Sequence, residues 1–119
     1  MNRQNNISCF FVVCFFLLVS AAGCVTTSNS AAAGSMLYQK AERLYRAGHY
    51  SAAKEYFHEY IANYPDEDLY EVSLYYLGHC YQKLEDKKEA LSLYNRVIHK
   101  YSDDDFWVQA AKKRIEEIN

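Results

Sequence analysis

Laid upon itself with a shift of 37 residues, the chain matches at eight positions. Leu37 falls on Leu74, Ala41 on Gly78, Leu44 on Tyr81, Ala53 on Ala90 and Phe57 on Tyr94; Tyr60, Ile61 and Tyr64 fall on Val97, Ile98 and Tyr101. A fixed period of this length is the mark of a tandem array of supersecondary units. Within each copy the apolar residues recur at three- and four-residue steps, the spacing of one helical face. In the second copy Leu74, Leu77, Gly78 and Tyr81 form one stripe and Ala90, Tyr94, Val97 and Ile98 another, with Glu85-Asp86 between. Two such helices joined by a short turn bury both stripes only as an antiparallel hairpin. Gly78 and Ala90 are the small residues that close helix approach requires.

The first copy has the same plan. Leu37, Ala41 and Leu44 precede a turn at Gly48; Tyr50, Ala53, Phe57, Tyr60 and Ile61 follow it, and Pro65 ends the second helix. The fold class is therefore all-α: a short solenoid of two hairpins, about 36–66 and 70–102, and a last helix over 106–118. Asp68-Leu-Tyr-Glu71 and Asp86-Lys-Lys-Glu89 have capping-box spacing, and Asp103-Asp104-Asp105 places negative charge before the last helix. Lys112, Lys113, Arg114, Glu116 and Glu117 make that helix a polar cap on the array.

The first third of the chain lacks this period. Arg3 is its only charged residue before Lys40, and an apolar run Cys9–Val19 leads to Ser20-Ala21-Ala22-Gly23-Cys24. That order is the order of a secretory signal peptide, here 1–23, and it is short of the ~20 apolar residues of a membrane-spanning helix. Ala21-Ala22-Gly23-Cys24 resembles the bacterial lipobox, although Ala21 stands where Leu is usual. That resemblance implies acylation of Cys24; ordinary cleavage after Ala22 is the other reading. Residues 25–35, VTTSNSAAAGS, are small and polar without apolar period and read as a flexible linker behind Cys24. With Cys9 and Cys14 in the signal and Cys24 acylated, Cys80 is the one cysteine left to the folded part, a core thiol.

Thirteen basic against fifteen acidic residues, with no basic cluster beyond Lys112-Lys113-Arg114, speak against nucleic-acid binding. No triad, carboxylate pair or phosphate loop stands at working spacing, and His49, His58, His79 and His99 are scattered, reading as surface residues. No catalytic residue, cofactor or metal site is expected.

Leu74, Leu77-Gly78, Tyr81, Ala90, Tyr94 and Val97, with Leu37, Ala41, Tyr50, Ala53, Phe57 and Pro65 in the earlier copy, resemble the tetratricopeptide repeat. Lys40 and Ser102 depart from the pattern, at an apolar and a proline position. The family period is shorter by three residues, which lie here in Asp66-Glu67-Asp68. Longer repeats with such an acidic connection resemble those of envelope lipoproteins of outer-membrane protein assembly and of the Tol–Pal system. The resemblance implies a concave surface lined by the first helix of each hairpin. Tyr38, Glu42, Tyr45, Tyr75, His79 and Gln82 would face it as a partner-binding groove. Tyr75 and His79 replace the basic and amide pair with which some members hold a terminal carboxylate, which disfavours that mode. The expected function is an adaptor, lipid-anchored in the cell envelope at the outer membrane and facing the periplasm, that binds a protein or peptide partner. The alternative is a structural subunit that assembles, with itself or others, through the solenoid ends.

Overall fold

A computed structural model describes residues 25–119, with side chains from residue 29 onward; the signal region and Cys24 lie outside the described residues. Five helices follow one another, with no strand among the described residues: α1 (Val25–Arg46), α2 (Tyr50–Asn63), α3 (Tyr70–Lys83), α4 (Lys87–Lys100) and α5 (Phe106–Ile118). The compact unit that carries the repeats is Gly34–Asn119.

Both hairpin turns close by the same device. His49 N–H reaches the Leu44 carbonyl at 2.9 Å, and Asp86 N–H reaches that of Tyr81 at 2.9 Å. Such a closure needs one residue in the left-handed region. Gly48 supplies it with φ 78°, and Glu85, one period on, supplies it with φ 65° although it is not glycine. Tyr64 ends α2 before Pro65, as the proline requires. Asp86 accepts from Glu89 N–H at 3.2 Å, and Asp105 from Trp107 N–H at 2.7 Å, so two helix starts are capped by aspartate.

Two expectations fail. Residues 25–35 are the first part of α1, where a flexible linker was expected. They include three alanines and no proline, and a helix already nucleated by packing elongates without further nucleation cost. The side chains of residues 29–33 are exposed, which is why they show no apolar period. The Asp68–Glu71 capping box does not form either; Leu69 precedes α3 and makes no side-chain cap. Glu71 turns instead toward Asp105. Burial, and then the Asp105 charge and hydrogen bond, push its carboxyl up to about 7. Its Oε1 is buried without a hydrogen-bond partner among the described residues, and a neutral carboxyl is less costly to bury there than a carboxylate.

The core is built on α3, which packs against α2, α4 and α5. Nine of its 14 residues are buried, so it has hardly a solvent face. Gly78 meets the Tyr94 ring so closely that a Cβ there would lie 2.9 Å from Cε1. Ala41, Ala53 and Ala90 are equally buried, which bears out the role of small residues in the hairpins. Phe57, Tyr60, Leu77, Val97 and Val108 fill the spaces between helices, and Phe57 stacks on Tyr76 with centroids 5.8 Å apart.

Candidate interaction surface

α1, α3 and α5 touch in succession through side chains. Tyr45 of α1 bonds through its hydroxyl to His79 Nδ1 of α3. The Tyr75 hydroxyl of α3 accepts from Arg114 Nε of α5 at 3.1 Å, and the Tyr75 ring lies 5.1 Å from Trp107. Burial, followed by the charges of Arg114 and Lys83, holds the His79 imidazole down at about 4, so it is neutral at physiological pH. Burial first of all raises the Tyr45 phenol to about 12. Tyr45 thus keeps its proton and donates it to a neutral imidazole.

Of the six expected groove residues, these contacts bring Tyr45, Tyr75 and His79 together, but as structure. Tyr38 is 9% exposed and packs edge-on against Phe57 and Tyr60, both at 6.0 Å. Tyr75 and His79 are each 7% exposed. Gln82 accepts from the Tyr94 hydroxyl at 2.8 Å, and Glu42 accepts from Arg46 at 2.7 Å. The exposed aromatic groove expected of Tyr38 and Tyr75 is therefore corrected, because neighbouring helices cover both rings. His79 likewise is a buried residue and not a surface histidine. Tyr45 is half-buried between Tyr50 and Tyr76, at 5.7 and 4.7 Å.

What remains open on this side is a hollow of about 390 Å³ between α3 and α5. Tyr75 floors it, and Phe106, Gln109, Ala110, Lys113 and Arg114 surround it. Sequence reasoning took α5 for a polar cap and missed it. The available signal was Phe106, an aromatic residue directly after three aspartates at the start of a helix otherwise read as polar. A wider hollow of about 530 Å³ lies by the first hairpin turn, between His49, Glu55 and Leu84.

The tetratricopeptide repeat family model matches residues 35–67 and 72–104. The chain belongs to the tetratricopeptide repeat family. Comparison with curated proteins returns no match. The two matched repeats coincide with the α1–α2 and α3–α4 hairpins, and α5 adds a fifth helix beyond them. Tetratricopeptide repeats serve protein–protein interaction and are not themselves catalytic. Among the described residues, no three His, Cys, Asp or Glu side chains group to hold a metal, and no helix is long and apolar enough to cross a membrane.

Proposed function

We propose that this tetratricopeptide-repeat protein is a membrane-tethered adaptor that holds a partner protein in the bacterial cell envelope. The observation that carries the interaction half is the side formed by α1, α3 and α5, which leaves a hollow open against Tyr75 after the fold has used the other rings. The tether half rests on sequence: Arg3, the apolar run Cys9–Val19 and Ser20–Cys24 form an export signal ending at an acylation-type cysteine. Two or three fatty chains on Cys24 would suffice for stable anchoring, where one is marginal.

Two measurements test this reading. The intact mass of the exported protein decides the tether: a chain starting at acylated Cys24 is expected, and an unmodified cysteine overturns it. Photocrosslinking residues placed at Glu42, Lys83 and Phe106 in cells decide the interaction. Adducts to one protein at these sites are expected. Adducts confined to the outer faces of α1 and α5, joining copies of the chain, would favour a self-assembling structural subunit instead.

A further inference from the structure

Two carboxyls meet where the second hairpin joins α5. Glu71 stands half-buried in the first turn of α3, between Tyr70 and Val72, which are both inside. Its carboxyl hydrogen-bonds to that of Asp105, and its Oε1 is buried without a partner among the described residues. Asp105 in turn caps α5, its Oδ1 accepting from Trp107 N–H at 2.7 Å. Ionised carboxylates only accept, so the contact between Glu71 and Asp105 requires a proton. Asp105 serves better as the anion, because a charged cap holds the helix N–H more strongly. The proton therefore belongs to Glu71, which burial and then Asp105 lift to about 7.

The other groups around Glu71 do not take over this role. Asp66, Glu67 and Asp68 of the α2–α3 connection, with Lys100 and Tyr101 at the end of α4, line a hollow of about 390 Å³ with Glu71. Lys100 is the one cation in that lining, and it lies over the Tyr70 ring at 3.9 Å. Tyr101 keeps its proton, since burial and then the Glu71 charge push its phenol up to about 12. Asp103 is paired with Lys112 at 3.0 Å, and Asp104 is exposed. Loss of the Glu71 proton thus leaves two anions in contact.

α5 is the part that can yield. α3 is packed among α2, α4 and α5, whereas α5 rests on α3 and α4. The buried residues of α5 are Val108 and Ala111, and Phe106 is 71% exposed, so the first turn is held by Trp107 and Asp105. We infer that the Glu71–Asp105 contact is a proton-operated latch on α5: with the proton in place it fastens the first turn to α3, and its loss frees that turn while both hairpins stay folded. Trp107 in that turn lies 5.1 Å from Tyr75, so the latch also governs the hollow between α3 and α5. It is a property of the chain alone and does not depend on the adaptor reading.

Amide hydrogen exchange, corrected for the intrinsic effect of pH, measures local opening directly. The reporters are the amides of Trp107 and Gln109, both bonded to Asp105, compared in the purified protein with those around Phe57 of α2. From pH 5 to pH 8 protection of the two α5 amides should fall about tenfold or more, because the closed form binds the extra proton. At pH 8 they should exchange faster than the α2 amides and with little dependence on low urea, the mark of a local event. Glu71→Gln keeps a neutral donor and should hold protection level with pH. Asp105→Asn keeps a capping side chain without the charge and should shrink the fall. Asp104→Asn should behave as the parent. Exchange of the α5 amides at the rate and urea dependence of α2 makes Glu71 a determinant of global stability only and overturns the latch. Protection that is level with pH in the parent, or a fall that Glu71→Gln and Asp105→Asn leave at parental size, overturns it too.

Discussion

Gly78 and Gly34 offer the same substitution in two settings with opposite expected results. Glycine inside a helix costs about 1 kcal/mol relative to alanine, so Gly→Ala gains that much where the methyl fits. At Gly34 of α1 a Cβ would lie 3.1 Å from the Tyr64 ring. Tyr64 is partly exposed just past the end of α2 and leans on Tyr60 at 5.2 Å, so it can give way outward. Most of the gain should survive. At Gly78 the Cβ would lie 2.9 Å from Tyr94 Cε1. Tyr94 is fully buried, its hydroxyl bonded to Gln82 at 2.8 Å and its ring 5.8 Å from that of Tyr75. The ring can retreat only by straining that bond or pressing on its neighbours. Overpacking of this kind costs about 1–3 kcal/mol, which outweighs the helix gain and leaves a net loss of about 1 kcal/mol. For a domain of this size that lowers Tm by about 4–8 °C, whereas Gly34→Ala should hold Tm or raise it by a few degrees. Thermal melts followed by far-UV circular dichroism compare the two directly. Equal shifts of the same sign would refute the reasoning, because Tyr94 would then be as free to move as Tyr64.

Three further outcomes are expected. Glu71 has a folded-state pKa of about 7 against 4.5 for the free group, so the folded state keeps its proton longer. The associated stability is complete below pH 4.5 and falls as pH rises through about 7. Glu71→Gln should remove that fall, leaving the variant more stable than the parent at pH 8 by about 1–2 kcal/mol once partial exposure is allowed for, and no more stable at pH 4, by urea unfolding. Glu85→Gly should raise the urea midpoint at constant slope, a gain of up to about 1 kcal/mol, since the left-handed conformation penalises every residue with a Cβ. Tyr75→Ala should cost about 3 kcal/mol in the same assay, because it removes a buried ring and leaves Arg114 without its acceptor.

The hairpins were legible because each helix spends one stripe on its own partner, and that stripe sets the period. Gly78 and Ala90 could be read as contact points for the same reason. The groove was misjudged because burial between repeats leaves no such trace. α3 is covered from three directions, so Tyr75 and His79, off its main stripe, are buried along with Leu77. Tyr38 disappears under Phe57 and Tyr60 of the next helix. The helical form of residues 25–35 escaped because an exposed, alanine-rich helix and a small-residue linker share one composition. The left-handed Glu85 was within reach, since it stands one period after Gly48, but nothing in its own chemistry announces it.

A thiol takes part in disulfide exchange only as an accessible thiolate. Cys80 is neither: it is fully buried in α3, and burial pushes its thiol up to about 12. Stray disulfides around the folded protein therefore meet no accessible thiolate among the described residues, whichever compartment holds them. The sulfur becomes reactive only when α3 parts from its neighbours. Its capture by a bulky thiol reagent is thus a clock for how often the array opens, built in at the helix on which α2, α4 and α5 close.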